Sequence, residues 1–371
     1  MGIVLRKRVT AFKGQALAAP ALAVLLAFTA GGVILALMSV NPFHAYAAMA
    51  QGAFGSGYLA SEVLVKAAPM TLTGLAVALA VTMLAWNIGC EGQLVMGAVF
   101  AAWIGLFAAP HLPAWSVLPA AALAGALGGA LWALGPALLK AGFKVNEILT
   151  TLLLNYVAII IMEHLYYRPW RDPAGMGFPG TAAIAEAAKL PRFFGTRIHL
   201  GLILALVLAV VLAFVIKRTT WGFQLRVAGQ GMRAARYAAI PVKRRLVEAL
   251  AASGALAGLA GMGEVCGLQY RLQDGMTIGY GYDGIIVAFL ARLNPLAVPL
   301  AAVFLSAVTI GADRLQTLLH LPASIGMVLK GCLVFGFLVG EAVTRYRICR
   351  TARPEPVAQA MQDKAPGEAR A

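Results

Sequence analysis

Apolar residues in this chain fall into long runs separated by short polar segments. An α-helix rises about 1.5 Å per residue, so a run of about 20 apolar residues crosses the ~30 Å hydrocarbon core of a bilayer. We predict spans over residues 20–40, 67–86, 92–109, 115–139, 147–165, 198–217, 246–268, 277–291, 295–312 and 323–343. The predicted fold class is therefore all-α, a polytopic transmembrane helical bundle of about ten helices.

The eighth of these spans is the least regular. Residues 277–291 read TIGYGYDGIIVAFLA, with three glycines and an aspartate. A stretch this short and this rich in glycine predicts an interrupted or half-crossing helix. Irregular backbone at membrane depth is tolerated only where protein or a water-filled cavity covers it.

Glycine recurs in two other spans, the fourth and the seventh. Small residues let the backbones of neighbouring membrane helices approach closely. We therefore expect a packing role for Gly125, Gly128, Gly129, Gly254, Gly258 and Gly261.

Composition agrees with a membrane protein. Of 371 residues, 61% are hydrophobic and 12% are charged, whereas a soluble domain carries about 25% charged residues. The net charge is +15, a balance that in a soluble protein would suggest nucleic acid. Here the cations lie in the segments between apolar runs, without a basic stripe that alternates with aromatics, so no nucleic-acid partner is expected.

The distribution of cations predicts the topology, because cytoplasmic loops are enriched in Lys and Arg. With the N-terminus inside, the predicted cytoplasmic segments hold 21 of the 30 Lys and Arg residues and the outer ones hold 8. The pattern favours both termini in the cytoplasm, although residues 166–197 place five cations outside. We predict a cytoplasmic N-terminal segment (1–19), a transmembrane domain (20–343) and a cytoplasmic, disordered tail (344–371).

Sequence signatures of catalysis are missing. The five histidines are scattered, and the chain has no HExxH, no G-x-S-x-G and no Gly-Lys dipeptide, so it has no Walker A motif. None of the four cysteines forms a CxxC pair, which argues against a zinc or disulfide framework. We expect no enzyme activity, no metal and no cofactor bound by this chain.

Polar residues inside the spans are the candidate functional groups, because a charge at the bilayer centre costs about 2.5–3.5 kcal/mol without partners or water. Glu147, Thr151 and Asn155 recur every four residues and share one helix face. That stripe either lines a pathway for a polar solute or bonds to other helices. The candidate pathway residues are Asn87, Glu91, Glu147, Thr151, Asn155, Glu264, Asp283 and Lys330.

Position within a span divides these charged candidates. Glu91 and Glu147 lie nearer span ends, where solvent could reach them. Lys330 lies in the middle of the last span and is expected to pair with Glu264 or Asp283, a choice that the sequence leaves open. The alternative to a role in transport is a structural ion pair.

A basic segment stands out at residues 217–245, where eight of the 29 residues are cationic. Residues 232–239 are predicted to form a short helix, preceded by glycines and ended before Pro241. Arg233 and Arg236 share a face of that helix. It could dock on a cytoplasmic partner, or the segment could rest on anionic lipid headgroups.

Three stretches resemble one known family. Residues 87–97 read NIGCEGQLVMG, residues 145–157 read VNEILTTLLLNYV, and residues 279–295 read GYGYDGIIVAFLARLNP. They resemble the inner-membrane permease subunits of ATP-binding-cassette (ABC) importers, in the superfamily that serves ribose-type sugars, branched-chain amino acids and nucleosides. The second and third stretches are most similar to the nucleoside and simple-sugar branch. The resemblance runs over roughly residues 20–345.

The resemblance also implies a role for the basic segment, as the coupling loop that docks on the ATPase subunit. Relatives tend to read G-x-N-P-x-A-A-x-Y-A-G-I there. This chain has Gly231 and Met232 in place of Asn-Pro, and Ala239 in place of Gly. The residues carried over to the loop are Gly229, Arg233, Ala234, Ala235, Arg236, Tyr237 and Ile240.

What the resemblance implies about function is a permease that works in a complex. Its partners would be a second, related permease, an ABC ATPase subunit that hydrolyses the ATP, an extracytoplasmic binding protein and membrane lipid, in a bacterial inner membrane. The expected solute is a nucleoside or a related small polar molecule, with a simple sugar or a branched-chain amino acid as alternatives. Two other classes stay open: a proton-coupled secondary transporter and a membrane scaffold.

Overall fold

The fold is helical over almost all of the chain that the computed structural model describes, which comprises residues 2–7, 15–276, 279–322 and 324–351. In chain order, the elements are β1 (Gly2–Lys7), α1 (Gln15–Leu37), α2 (Pro42–Phe54), α3 (Gly57–Val81), α4 (Cys90–Trp103), α5 (Ala114–Phe143), α6 (Glu147–Tyr167), α7 (Leu200–Arg218), α8 (Thr220–Gln230), α9 (Met232–Tyr237), α10 (Val242–Glu264), α11 (Tyr280–Leu290), α12 (Val298–Leu319), α13 (Ser324–Arg345) and β2 (Tyr346–Thr351). The predicted all-α class is confirmed, with one two-stranded antiparallel ladder between β1 and β2 in addition.

Helix length supports a polytopic chain. Seven helices of the described part are long and apolar enough to cross a membrane. They are α3, α4, α5, α6, α7, α10 and α12, where α4 is counted with the turns that follow it to His111 and α10 with the turn that follows it to Gln269. An eighth span results if Val24–Leu37 of α1 and all of α2, which are bent by 116° at the break between Leu37 and Pro42, count as one. Two shorter apolar segments, α11 and Ser324–Gly340 of α13, match the other two predicted spans. Each of the ten predicted spans therefore coincides with a helix, and α11 is as short as its glycines predicted.

Local sequence explains where several helices begin. A side chain directly before the helix accepts a hydrogen bond from a backbone N–H of the first turn, which satisfies a donor that has no partner within the helix. The residues that do this are Asn41 before α2, Ser56 before α3, Asn146 before α6, His199 before α7 and Thr219 before α8. Pro42 at the first position of α2 adds a backbone that is already helical.

The chain divides into two compact units. The larger one comprises residues 31–330 and contains every candidate residue of the sequence analysis. The smaller one comprises residues 1–30 and 331–371, where β1 pairs with β2 from Gly2 opposite Thr351 to Lys7 opposite Tyr346. Of the tail predicted to be disordered (344–371), residues 344–345 belong to α13 and residues 346–351 form β2, whereas residues 352–371 lie outside the described residues. The predicted boundaries and the orientation in the membrane remain predictions.

The centre of the larger unit is α10, which packs against α3, α4 and α5. Glycines bring these backbones together. A Cβ on Gly258 would overlap the carbonyl oxygen of Gly125, and a Cβ on Gly261 would overlap that of Leu94. The packing role predicted for the glycines of α5 and α10 is therefore confirmed. The same close packing brings the other side chains of α10 near α3 and α4.

Candidate functional site

A buried polar network occupies the region where the chain passes from α3 to α4. The Asn87 side-chain amide donates to Gln93 Oε1 and to Ser253 Oγ, both at 2.8 Å. Gln93 Nε2 donates back to Asn87 Oδ1 at 3.0 Å, and Ser253 Oγ donates to the carbonyl oxygen of Ala76 at 2.6 Å. The network therefore joins α3, α4 and α10. Asn87 was a predicted candidate, whereas Gln93 and Ser253 were not, although their polarity within apolar helices was a signal for both.

Glu91 holds the beginning of α11. Its carboxylate accepts the backbone N–H of Gly279 at 3.1 Å and that of Gly281 at 2.6 Å. A carboxylate is favoured at a helix N-terminus, where unpaired N–H groups carry partial positive charge. Gly281 is required there, because a Cβ would overlap the backbone of Glu91. A position near a span end does not expose Glu91 in this structure: the residue is 2% exposed, because α11 covers it.

The polar stripe of α6 lies on one face, as its spacing predicted. Glu147, Thr151 and Asn155 are all buried. The Asn155 side-chain amide donates to the carbonyl oxygen of Ile88 at 2.9 Å and to Tyr282 Oη at 3.1 Å. Asn155 Oδ1 accepts from a backbone N–H of α4 at 2.9 Å. In this conformation the stripe bonds to neighbouring helices. This is the second of the two roles that the sequence left open, the first being to line a pathway for a polar solute.

The cytoplasmic end predicted for α6 carries an ion pair. Glu147 pairs with Lys140 of α5 and accepts the backbone N–H of Trp86 at 3.3 Å. Thr151 Oγ1 donates to the carbonyl oxygen of Glu147 at 2.6 Å. Glu147 is 8% exposed, so burial by protein replaces the solvent contact that the sequence suggested, and the pair with Lys140 compensates for the loss of water.

Lys330 has one acidic partner among the described residues. Its Nζ lies 2.7 Å from Asp283 Oδ2, which links α13 to α11. The choice that the sequence left open therefore falls on Asp283. Glu264 is 1% exposed, and neither of its carboxyl oxygens has a hydrogen-bond partner in the part of the chain that the structure describes.

The basic segment forms two short helices, α8 and α9. The predicted short helix is confirmed at Met232–Tyr237. Arg233, Arg236 and Tyr237 are exposed on it, together with Ala234, whereas Ala235 and Ile240 are buried. The helix therefore exposes a basic surface, and the buried side chains of Ala235 and Ile240 attach the segment to the rest of the protein.

Two positions in this segment carry special backbone geometry. Ala239 has φ +53°, a left-handed conformation that favours glycine, and this is the position where the family pattern has Gly. Gly229 packs against the carbonyl oxygen of Thr82, and a Cβ there would overlap that oxygen. The segment thereby touches the link between α3 and α4.

The first turns of α10 fasten α8. Trp221 Nε1 donates to Glu248 Oε2 at 2.8 Å, and Arg244 Nε donates to Glu248 Oε1 at 2.7 Å. Arg245 bonds to both Glu248 and Gln224. Three side chains, Trp221, Arg244 and Arg245, thus converge on the Glu248 carboxylate at the base of α10.

The described residues contain no candidate metal site. No three His, Cys, Asp or Glu side chains among them lie close enough together to hold a metal ion. The site is a set of amides, hydroxyl groups, carboxylates and the ammonium groups of Lys140 and Lys330, which lie on α3, α4, α5, α6, α10, α11 and α13 or in the segment between α3 and α4. Such groups can position helices and can bind hydroxyl or amino groups of a solute.

Comparison with known proteins gives the family. Residues 59–338 match the family described as the permease component of the branched-chain amino acid transport system. The glucose ABC transporter permease TsgB13 of Haloferax volcanii is 33% identical over 340 residues, which is 89% of each chain. The guanosine ABC transporter permease NupP of Bacillus subtilis is 36% identical over 300 residues, covering 79% of this chain and 84% of NupP.

A further relative is the nucleoside ABC transporter permease NupB of Lactococcus lactis, 27% identical over 327 residues, 85% of this chain and 89% of NupB. The matches extend over all the helices that contribute to the polar network. They argue against a scaffold and against a self-sufficient proton-coupled transporter. This chain belongs to the branched-chain amino acid transport system permease family, and it is a multi-pass permease component of an ABC importer rather than an enzyme.

Proposed function

We propose that this chain forms part of the translocation pathway for a nucleoside or a closely related polar solute. The observation that carries the proposal is the 36% identity to a guanosine permease over 84% of its length. It is supported by the two stretches that resemble the nucleoside and simple-sugar branch, which meet where Asn155 of α6 bonds to Tyr282 of α11. A sugar is the second candidate, because a glucose permease is 33% identical over 89% of its length.

The pathway in this proposal is lined by the candidate residues Asn87, Glu91, Glu147, Thr151, Asn155, Glu264, Asp283 and Lys330. In the present conformation, all of these side chains except Glu264 are hydrogen-bonded to other side chains or to backbone groups. When the helices separate, the same groups are free to exchange partners with the hydroxyl groups and base edges of a solute. Alternating access is a shift between two such states.

Energy comes from a separate ATPase subunit in this proposal. The chain has no Gly-Lys dipeptide and so no Walker A motif. The basic surface of α9, with exposed Arg233, Arg236 and Tyr237, is the docking element for that subunit on the cytoplasmic side. The complex also includes a second, related permease and an extracytoplasmic binding protein, and it resides in a bacterial inner membrane.

Reconstitution into vesicles with the neighbouring permease, ATPase and binding-protein subunits tests the proposal. Labelled guanosine and uridine are compared with glucose, ribose and leucine, with and without ATP. We expect nucleoside uptake that requires ATP. Uptake of glucose or ribose alone would replace the nucleoside with a sugar. Uptake by this chain alone in a proton gradient would contradict the importer mechanism.

A further inference from the structure

Glu264 is a buried residue of the core that takes no part in the hydrogen-bond network. It lies about three turns after Ser253 on α10, so the two side chains share a face. Ser253 donates to the carbonyl oxygen of Ala76 on α3, which identifies that face as the one packed against α3. Glu264 is 1% exposed, and neither carboxyl oxygen has a hydrogen-bond partner among the described residues.

The other three acids among the candidate residues are compensated. Glu91 accepts two backbone N–H groups, Glu147 pairs with Lys140, and Asp283 pairs with Lys330 at 2.7 Å. Glu264 therefore differs from each of them in the same structure. Of these four buried acids, only Glu264 has both carboxyl oxygens without a hydrogen-bond partner in the described part of the chain.

Cations close enough to act on Glu264 are already engaged elsewhere. The charged groups that act on its carboxyl group are the cations Arg197 and Lys66 and, with the opposite sign, Glu91. Arg197 pairs with Glu62 at 3.0 Å, and Lys66 pairs with Asp313 at 3.1 Å. In this conformation neither cation donates a hydrogen bond to Glu264.

A buried carboxyl group without donors destabilises the state in which it is found, and an apolar side chain of similar size is more stable in its place. Stability therefore does not account for an acid at this position. Residues that break the packing rules without local compensation are expected at functional sites. A ligand that supplies the missing donors in another conformation would account for it.

We propose that Glu264 is a solute-binding residue, whose carboxylate accepts hydrogen bonds from two adjacent hydroxyl groups of the solute when α10 and α3 separate. A carboxylate has two acceptor oxygens and no donor, which matches a vicinal diol. Ribose rings of nucleosides and free sugars both carry such a pair. The proposal rests on the proposed function, and it adds which part of the solute is recognised and by which residue.

Two substitutions separate binding from stability in the full reconstituted complex. Glu264→Leu removes the carboxyl group, and Glu264→Gln keeps its shape. We expect Glu264→Leu to unfold at the same or a higher temperature than the wild type, while guanosine uptake at low concentration falls at least tenfold. Glu163→Gln on α6 is the matched control, because Glu163 is only half-buried, and its uptake should stay within twofold of wild type.

The diol is tested with 2′,3′-dideoxynucleosides. The wild type should prefer the nucleoside over its dideoxy form by at least tenfold, and Glu264→Gln should lose most of that preference. Normal uptake in Glu264→Leu, an unchanged dideoxy preference in Glu264→Gln, or a lower unfolding temperature in Glu264→Leu would each overturn the role. The proposed function is tested separately, by the uptake of the wild type in the same vesicles. The role of Glu264 is tested by the ratio of variant uptake to wild-type uptake.

Discussion

Among the single residues, His199 shows how a polar side chain is adapted to its place at the end of a span. It stands directly before α7, is 2% exposed, and accepts the backbone N–H of Gly201 through Nδ1 at 3.1 Å. Its ring lies against Gly267, where a Cβ would lie 2.8 Å from the ring carbons. Burial, together with the nearby charges of Arg192 and Arg197, lowers the pKa of His199 to about 4. The imidazole is therefore neutral at physiological pH, as its acceptor role requires.

This shift predicts a loss of stability in acid. The pKa falls from 6.5 to about 4 on folding, so between these values the unfolded chain binds the extra proton. The contribution is fully present above pH 6.5 and declines by up to about 3 kcal/mol as the pH falls to 4. His199→Asn keeps a capping side chain without a titrating ring, and its unfolding temperature should depend less on pH in that range.

The matched control for this prediction is His111→Asn, at an exposed histidine. It should follow the wild-type pH dependence of the unfolding temperature. If His199→Asn also loses stability as steeply as the wild type between pH 6.5 and 4, the titration of His199 is not responsible.

Among the elements, α10 organises the larger unit, because its glycines allow α4 and α5 to approach at backbone distance. Gly258 meets Gly125 and Gly129 of α5, and Gly261 meets Leu94 of α4. The neighbours are backbone atoms, which cannot rotate away as a flexible side chain can. The same close packing buries Ser253 and Glu264 on α10. A polar group on this helix therefore needs a partner from an adjacent helix.

Gly258→Ala should be strongly destabilising. The added methyl group would overlap the Gly125 carbonyl oxygen, and overpacking of a tight core costs about 1–3 kcal/mol. Gly331→Ala on α13 is the control, because a Cβ there would have nothing within 4 Å, and alanine favours a helix over glycine by up to about 1 kcal/mol. Thermal unfolding in detergent measures both, and equal unfolding temperatures would contradict the packing role of Gly258.

At the scale of the whole molecule, the basic segment is tied to the centre of the larger unit at two points. Trp221 of α8 donates to Glu248, and Gln224 of α8 accepts from Arg245, so two hydrogen bonds hold α8 to the base of α10. Gly229 lies against the carbonyl oxygen of Thr82, just before the link that carries Asn87. If α9 is the docking element, a displacement of α9 reaches both α10 and the polar network through these contacts.

Arg236→Glu tests that docking role in the reconstituted complex. Arg236 is exposed, so folding and membrane insertion should be unchanged, while charge reversal at the docking surface should lower ATP-dependent uptake at least tenfold relative to ATP hydrolysis. Lys144→Glu reverses an exposed charge outside the segment and should leave this ratio unchanged. Wild-type uptake in Arg236→Glu would count against docking at α9.

Much of this architecture follows from the sequence alone, for a physical reason. Run length and helical periodicity are properties of consecutive residues. They predicted the positions of the spans, the short glycine-broken α11, the shared face of Glu147 and Asn155, and the short helix at α9. The motifs in α4, α6 and α11 also indicated the family, because each is a run of consecutive residues that can be compared without knowledge of the fold.

The partners of the polar groups were decided only by the tertiary structure. Lys330 could be matched by sequence to Glu264 or Asp283, and only the packing of α13 beside α11 brings it to Asp283 at 2.7 Å. The burial of Glu91 depends on α11, which lies almost 190 residues further along the chain. The sequence by itself determined which residues are polar and which face of a helix they share. Which donors reach them, and that Glu264 is left without any among the described residues, depends on contacts between distant helices that no local pattern encodes.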